Sequence, residues 1–268
     1  MKAGVVQVVS CACHEDDWVA LDGLMGQLPN GFTVVPAFGI HPWWADAASD
    51  ACLDALKQRL EANSRACLGE IGLCKSLRGK AVDRATQERA FQQQLQLATT
   101  LQRPVIVHCV KSFGKVLEIM QREQELPPRI VMHSFNGASD IVKSFIKLEQ
   151  NASKRTRVFF SLNAKQLSEN KEKASAWCRA IPLPSLLLET DAPDQLPATD
   201  SVMANMDAEI TQCLAEVQQN EPVTVQLALL KAAEALSMTP EELAEIVNAN
   251  ALEAFHIQTD CELYEGNK

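Results

Sequence analysis

Four residues of metal-binding type each come within or just after a short apolar run: Glu70, His108, His133 and Asp191. The clearest example is Asp191, which follows three consecutive leucines and Glu189. Where apolar strands run parallel, side chains at their carboxyl ends meet at one mouth of the sheet. Histidine nitrogens suit zinc, and carboxylate oxygens also suit magnesium or manganese. We therefore expect these four residues to hold one or two divalent ions (Mg, Mn or Zn).

Such a site indicates hydrolytic chemistry. Two ions bridged by a carboxylate are a common arrangement for phosphodiester hydrolysis, because the pair stabilises charge in the transition state. Asp191 is then also a candidate general base that positions the attacking water. Each residue alone has a structural explanation: a lone histidine is usually hydrogen-bonded, Glu70 could cap a helix, and Asp191 could lie in a turn. The coincidence of four ligand types at four strand ends favours the metal site.

The segments around these residues alternate between strand and helix patterns. Near-continuous apolar runs predict seven strands, over residues 4–12, 33–40, 66–68, 105–107, 129–132, 157–162 and 185–188. Apolar residues at helical spacing predict helices over residues 15–28, 50–63, 83–101, 112–125, 138–150, 169–180, 202–219, 223–236 and 240–255. Asp83 is a plausible N-cap, and Thr239 begins the last helix.

Repeated strand and helix units predict a parallel sheet covered on both faces. The expected fold is therefore α/β, a TIM-type (β/α) barrel that forms one domain over residues 1–268. A barrel of this class has eight strands. Because seven are recognised and the chain starts directly on a strand, the first βα unit is expected to be missing.

The composition is that of a soluble globular protein with a large core. The chain has 268 residues, 47% of them hydrophobic, and no apolar run approaches the ~20 residues of a membrane span. No secretory signal pattern opens the chain, so the cytoplasm is the expected location, with the nucleus as an alternative. Nine scattered cysteines indicate reduced thiols. Cys11 and Cys13 stand too close together for the usual zinc pair.

The charge restricts the possible partners. A formal net charge of −9 argues against broad, sequence-independent contact with a polyanion. It leaves room for an enzyme that holds a few phosphates through metals and a local basic rim. One basic cluster comprises Lys75, Arg78, Lys80 and Arg84, and another lies within residues 143–157. Solvated surface charge is the favoured explanation for each cluster.

Seven segments occur in the order found in one enzyme family. They are residues 39–42 (Gly-Ile-His-Pro), 69–73 (Gly-Glu-Ile-Gly-Leu), 104–109, 133–137, 189–193 (Glu-Thr-Asp-Ala-Pro), 220–222 and 248–255. With these segments the chain resembles the TatD family of metal-dependent deoxyribonucleases, among the amidohydrolase-like TIM barrels. The resemblance implies hydrolysis of DNA phosphodiesters, often as a 3′ to 5′ exonuclease, and the expected substrate is a single strand or a 3′ end. We also expect the protein to be a monomer without membrane contact.

The resemblance also implies roles for individual residues. Glu70 would be the bridging carboxylate, and His108 and His133 would be ligands of the second ion. Asp191 would be both a ligand and the water-positioning acid, so Asp191 and Glu70 are the predicted catalytic residues. His41 would contact a substrate phosphate.

Two further substrate contacts are predicted. After the His108 segment the family usually has an arginine, where this chain has Val110 and Lys111. Lys111 is a candidate for the lost phosphate contact, although as a point charge rather than a bidentate fork. A nuclease also needs aromatic platforms for bases. Trp43, with Trp44 beside it, is the best candidate, and a core role for one of the two is equally compatible with the sequence.

The chain departs from the family pattern at the first metal site. The family's first strand ends in an acid-x-His-x-His motif, and no His-x-His occurs in this sequence. His14, the only histidine before His41, follows the apparent second strand and is rejected as a substitute. The missing motif and the missing strand belong to one absent unit. The chain is thus either an incomplete version of an active enzyme or a protein that lost its first metal site.

Alternatives to the nuclease follow from these departures. Cys74 stands at a position that is often acidic in the family. Together with the absent histidines, it favours an inactive TatD-like barrel that acts as a binding or adaptor protein. Hydrolysis of a small ester or amide is a third hypothesis, because related barrels perform such chemistry.

Overall fold

In a computed structural model of the chain, seven strands form one sheet whose order follows the chain. The structure describes residues 4–151, 156–198, 211 and 218–257. The strands are β1 (Gln7–Ala12), β2 (Thr33–Phe38), β3 (Cys67–Cys74), β4 (Val105–Val110), β5 (Arg129–Met132), β6 (Arg157–Asn163) and β7 (Leu186–Glu189). Every neighbouring pair is parallel, and the sheet curls as a TIM-type barrel does. All seven predicted strands are present, which confirms the α/β class.

Helices follow the strands and cover the outside of the sheet. Those within the described residues are α1 (Glu15–Met25), α2 (Cys52–Ala62), α3 (Arg84–Leu101), α4 (Phe113–Arg122), α5 (Ser139–Asn151), α6 (Ala164–Glu169), α7 (Lys171–Ala180), α8 (Val225–Leu236) and α9 (Pro240–Ala254). The predicted caps are confirmed: Asp83 accepts a hydrogen bond from the Thr86 amide, and Thr239 forms a capping box with Glu242. None of these helices is long and apolar enough to cross a membrane.

The strands are apolar on both faces because each face packs against a different part of the core. In β4, Val105 and Val107 belong to the large cluster beneath the helices, while Ile106 belongs to a smaller cluster. Since side chains alternate along a strand, this second cluster lies on the concave side of the sheet. The end of α9 contributes Ala254 to it. The last helix therefore closes the interior of the curled sheet at the side away from the site.

Two strand predictions were too short, and this changes where the site residues lie. β3 continues to Cys74 rather than ending at residue 68, and β4 continues to Val110 rather than ending at residue 107. Glu70 and His108 thus lie within strands, and only His133 and Asp191 follow the ends of theirs. The strands extend further because β3 and β4 pair with each other as far as Cys74 and Val110. A single-sequence pattern does not contain that pairing.

The predicted helix over residues 169–180 was also wrong in part. It is present as α7, which begins two residues later, but the short helix α6 before it was not predicted, and the two helices meet at Asn170. The Asn163 side chain opens the first with a capping box, and the Asn170 side chain opens the second by accepting a bond from the Lys173 amide. Asparagine favours such caps over helix interiors. The predicted helix over residues 202–219 lies almost entirely outside the described residues.

Candidate metal centre

Glu70 lies at the centre of the predicted ligands. Its Oε2 atom is 3.9 Å from His41 Nε2, 3.6 Å from His108 Nδ1 and 3.8 Å from His133 Nε2. Only 14% of the carboxylate side chain is exposed. Two groups of donor atoms, each within 4.8 Å of one another, share this residue. The first group adds His41 and His108, and the second adds His133 and Asp191.

An irregularity in β3 places the Glu70 side chain. Cys67 belongs to the interior cluster and Leu68 to the outer one, so strict alternation would put Glu70 outside with Leu68. The register against β4 shifts between Leu68 and Ile71, and Ile71 belongs to the outer cluster instead. The shift reverses the alternation, which is the usual effect of a bulge, and turns Glu70 towards the mouth of the sheet.

Gly72 allows β4 to approach β3 beside His108. It has a φ of +141°, and a Cβ atom added there would lie 2.0 Å from the His108 carbonyl oxygen. No larger residue fits this position without moving the backbone that carries a predicted ligand. The Gly-Glu-Ile-Gly segment therefore has a structural requirement at its last glycine, and Glu70 itself provides the chemistry.

The remaining two predicted ligands, His133 and Asp191, follow the ends of β5 and β7. His133 Nε2 lies 3.4 Å from Asp191 Oδ1, so both residues face the Glu70 carboxylate. On the other side, His108 Nε2 is buried without a hydrogen-bond partner among the described residues. Buried polar atoms are rarely left unpaired, and each one needs an explanation such as an ion. The other ring nitrogen, Nδ1, is the one that faces Glu70, at 3.6 Å. The donor set around the Glu70 carboxylate fits a divalent cation.

The missed residue of the site is Glu189, which directly precedes Thr190 at the end of β7. One of its carboxylate oxygens lies 2.9 Å from His133 Nδ1. The carboxylate also accepts bonds from the Ser134 amide at 2.9 Å, the Ser134 hydroxyl at 2.7 Å and the Ser161 hydroxyl. A carboxylate on one ring nitrogen orients the other towards a metal. The sequence did contain a signal, because Glu189 and Asp191 are two acids only two residues apart at the end of a buried apolar run.

The ionisable groups of this cluster strongly affect one another's pKa values. Burial opposes the ionisation of Glu70, but the charge on His133 outweighs it and holds the pKa of Glu70 below its usual range. Burial also disfavours charged His133, yet Glu189 and Glu70 raise its pKa well above the usual value. Burial raises the pKa of Asp191. Buried carboxylates are stabilised by a nearby positive charge, which a bound cation would supply.

His41 differs from the other two histidines. Its Nδ1 atom accepts a hydrogen bond from the Trp43 amide at 3.1 Å. Burial, together with the nearby His108, lowers its pKa to about 3, so the ring is neutral near pH 7. In a neutral imidazole with Nδ1 as acceptor, Nε2 carries the proton. His41 therefore presents an N–H donor to the site, which suits an anionic oxygen better than a metal ion.

The other predicted contacts lie around this centre at different depths. The Trp43 ring is 4.5 Å from the His41 ring and 5.9 Å from the His108 ring, measured between centroids. Lys111 is exposed just beyond the end of β4. His14 lies elsewhere, with its Nε2 atom 3.3 Å from Asp17, and belongs to neither donor group.

Cys74 lies at the end of β3, beside the centre. Its sulfur accepts a hydrogen bond from Trp43 Nε1 at 3.2 Å and lies 3.0 Å from the Ser76 hydroxyl. Burial favours the thiol, but the neighbouring His108 and the Ser76 hydroxyl outweigh it and lower the pKa of Cys74 to about 6. The sulfur is outside both groups of metal-type donors. Its contacts are with the residues that surround the centre.

Comparison with known proteins identifies relatives over most of the chain. A family model described as TatD related DNase matches residues 1–256. The human protein named 3'-5' RNA nuclease TATDN2 is 31% identical over 161 residues, which are 60% of this chain and 20% of that protein. The human protein named Deoxyribonuclease TATDN3 is 24% identical over 269 residues, covering 95% of this chain and 85% of that protein.

A bacterial relative supports both the sequence and the fold. YjjV of Escherichia coli, named an uncharacterised metal-dependent hydrolase, is 29% identical over 195 residues, 72% of this chain and 70% of that protein. Its crystal structure superposes with a TM-score of 0.77 at 23% identity, covering 96% of this chain and 89% of that one. At that identity the superposition establishes the shared fold.

Proposed function

Since the chain belongs to the TatD-related DNase family, and is thereby a hydrolase acting on ester bonds, we propose that it cleaves DNA phosphodiester bonds with a divalent metal. The observation that carries this proposal is the buried Glu70 carboxylate, shared by two groups of donor atoms. A carboxylate in that position can bridge two ions. The proposed substrate is single-stranded DNA or a 3′ end, cleaved in the 3′ to 5′ direction.

The proposed ligands are the four predicted from the sequence. Glu70, His133 and Asp191 would hold one ion, and Glu70 with His108 would face a second. A bound divalent ion supplies the charge that stabilises a phosphodiester transition state and makes water a competent nucleophile near neutral pH. Glu189 would keep His133 Nε2 directed at the ion, because it holds the opposite ring nitrogen.

The chain's own groups would position the substrate and handle the proton. The His41 Nε2–H would donate to a non-bridging phosphate oxygen, since its other nitrogen is already occupied by the Trp43 amide. Asp191 would accept the proton of the attacking water, and its burial favours a carboxylate that takes up a proton readily. Lys111, exposed at the end of β4, would add a second phosphate contact.

RNA is a second candidate substrate for the same site. One relative is named a 3'-5' RNA nuclease and another a deoxyribonuclease, so related chains act on both nucleic acids. The proposed ligands would act on the phosphate, which DNA and RNA share. Parallel assays on DNA and RNA strands of matched sequence separate these possibilities. The single-domain organisation, the monomeric state and the cytoplasmic or nuclear location also stay predictions.

The test is hydrolysis of single-stranded DNA with magnesium, manganese or zinc, comparing wild type with Asp191→Asn. Loss of a general base typically costs about 100-fold to 10,000-fold in rate, so we expect at least a hundredfold loss. Asp54→Asn, which changes an exposed aspartate of α2, is the matched control and should retain wild-type activity. Equal rates for wild type and Asp191→Asn would overturn the proposal.

A barrel that binds nucleic acid without turnover is the competing function. The specific observation in its favour is Cys74, which stands at a position that is often acidic in the family and contacts Trp43 and Ser76. Metal analysis of the purified protein distinguishes the two. Substoichiometric metal, with an unchanged melting temperature after chelation, would favour binding alone. One or two ions per chain with metal-dependent hydrolysis would exclude it.

A further inference from the structure

The loop between β3 and α3 carries an arginine onto the aromatic rim of the site. The guanidinium carbon of Arg78 lies 4.3 Å from the Trp43 ring centre and 5.0 Å from the Trp44 ring centre. Trp43 in turn contacts His41, the residue at the centre of the proposed phosphate site. Arg78 lies over the Trp43 ring, and Trp43 meets the His41 ring edge to face, so the three residues form one series of contacts that leads outward from the metal centre.

The Trp43 indole, in the middle of this series of contacts, is held in place. Its Nε1–H donates to the Cys74 sulfur at 3.2 Å, and its ring lies between Arg78 and His41. The ring face under Arg78 is not open to a nucleobase. Trp43 therefore supports the guanidinium, and Arg78 is the member of this series that is exposed to solvent.

One buried side chain, that of Gln87, holds this loop against the end of β3. Gln87 accepts a hydrogen bond from the Cys74 amide at 2.9 Å and donates to the carbonyl oxygens of Gly79 at 2.7 Å and Val82 at 3.1 Å. A Cβ atom on Gly79 would lie 2.5 Å from the Cys74 carbonyl oxygen, so the loop packs directly on the end of β3. The position of Arg78 is therefore built into the fold.

Among the described residues, Arg78 has no counterion. Within the part of the chain that the structure describes, no carboxylate forms an ion pair with Arg78, Lys75 or Lys80, and all three are exposed. Arg84, the fourth member of this basic cluster, is different because it pairs with Glu88 at 2.8 Å. An unpaired cation stacked on two indoles, in a protein of net charge −9, leaves its guanidinium fork free for an external anion.

We propose that Arg78 binds a backbone phosphate of the nucleotide next to the bond being cleaved. The inference rests on the proposed function, and it specifies the substrate as a nucleic-acid strand longer than a single phosphodiester. Stacking on Trp43 and Trp44 orients the guanidinium edge towards the phosphate at low entropic cost. Leu77, the exposed neighbour in the loop, is available to contact the same nucleotide.

The experiment measures equilibrium binding of a fluorescein-labelled single-stranded oligothymidylate by anisotropy, in EDTA so that no cleavage occurs. Wild type is compared with Arg78→Ala, with Arg78→Lys, and with Arg65→Ala. Arg65 is exposed just before the amino end of β3, at the opposite end of the strand. We expect Arg78→Ala to weaken binding by about three- to tenfold and to reduce the salt slope by about 0.7, the contribution of one phosphate on a single strand.

Arg78→Lys should keep the salt slope while binding more weakly, and Arg65→Ala should match wild type. Wild-type behaviour of Arg78→Ala, or an absence of binding by the wild type, would overturn the inference. Weaker binding at an unchanged slope would assign Arg78 to a base and would overturn the phosphate contact. Hydrolysis is measured separately. A loss of binding in Arg78→Ala without any metal-dependent cleavage would leave the contact standing and refute the proposed function.

Discussion

Glu189 shows how one carboxylate can organise a site without facing the metal position. It contacts the His133 ring, the Ser134 amide and hydroxyl, and the Ser161 hydroxyl. These bonds fix the ring and leave His133 Nε2 directed towards Glu70 and Asp191. The geometry makes Glu189 a positioning residue, which acts on the proposed ion only through the imidazole.

Replacing Glu189 tests this role at the scale of a single residue. We expect Glu189→Gln to lower the affinity for divalent metal by about 10- to 100-fold, because partners of ligating histidines have effects of that size. Competition with a chromophoric chelator measures the affinity. Glu123→Gln is the control, since Glu123 also accepts side-chain hydrogen bonds but is only half-buried and belongs to neither donor group. Metal affinity equal to wild type in Glu189→Gln would show that Ser134 and Ser161 suffice to hold the ring.

At the scale of elements, α3 positions both ends of the substrate-facing rim. Gln87 of this helix anchors the Arg78 loop, and Gln94, two turns further on, holds the end of β2. The Gln94 side chain accepts from the Ile40 amide at 2.7 Å and donates to the Ile40 carbonyl oxygen at 3.1 Å. Ile40 directly precedes His41, so the helix sets the position of the proposed phosphate donor.

The Gln94→Leu substitution tests this support. It fills a similar volume but leaves the buried Ile40 amide and carbonyl without partners, at a cost of about 1–3 kcal/mol for each group. We expect a lower free energy of unfolding, measured by urea denaturation, together with a higher KM for DNA. Gln93→Leu, an exposed neighbour on the same helix, should be nearly neutral. A Gln94→Leu protein as stable as wild type would mean that water replaces the lost bonds.

For the whole molecule, the ligands connect strands across the sheet. Glu70 is on β3, His108 on β4, His133 after β5 and Asp191 after β7. In the described sheet β1 and β7 each pair with one neighbour, so the curled sheet has two edges. A cation bound by residues of four strands would therefore stabilise the curvature of the whole sheet, and metal binding should be coupled to global stability.

This coupling predicts a metal-dependent melting temperature. A ligand at about 100 times its Kd stabilises the folded state by about 2.7 kcal/mol, so Tm should rise by several degrees with saturating divalent metal and fall in EDTA. Asp191→Asn should reduce the rise. Scanning calorimetry with and without metal provides the measurement. A Tm that changes with neither metal nor chelator would indicate that the four strands hold their curvature without an ion.

Local patterns in the sequence were sufficient for most of the elements and for the fold class, and they supplied the candidate ligands. Apolar runs identify seven strands, Asp83 and Thr239 mark helix starts, and Glu70, His108, His133 and Asp191 stand out by chemistry. These features depend on residues close together in the chain. The same patterns missed the true ends of β3 and β4, because strand length there depends on pairing between the strands.

The tertiary structure alone decided how those residues meet. The register shift in β3 turns Glu70 inward, the Glu189 carboxylate contacts Nδ1 of His133, and the Arg78 guanidinium stacks on the Trp43 ring. Each arrangement is a contact between segments far apart in sequence or a change in strand alternation caused by a neighbouring strand. Periodicity describes one segment at a time, so it can supply the candidates for a site but not the geometry that joins them.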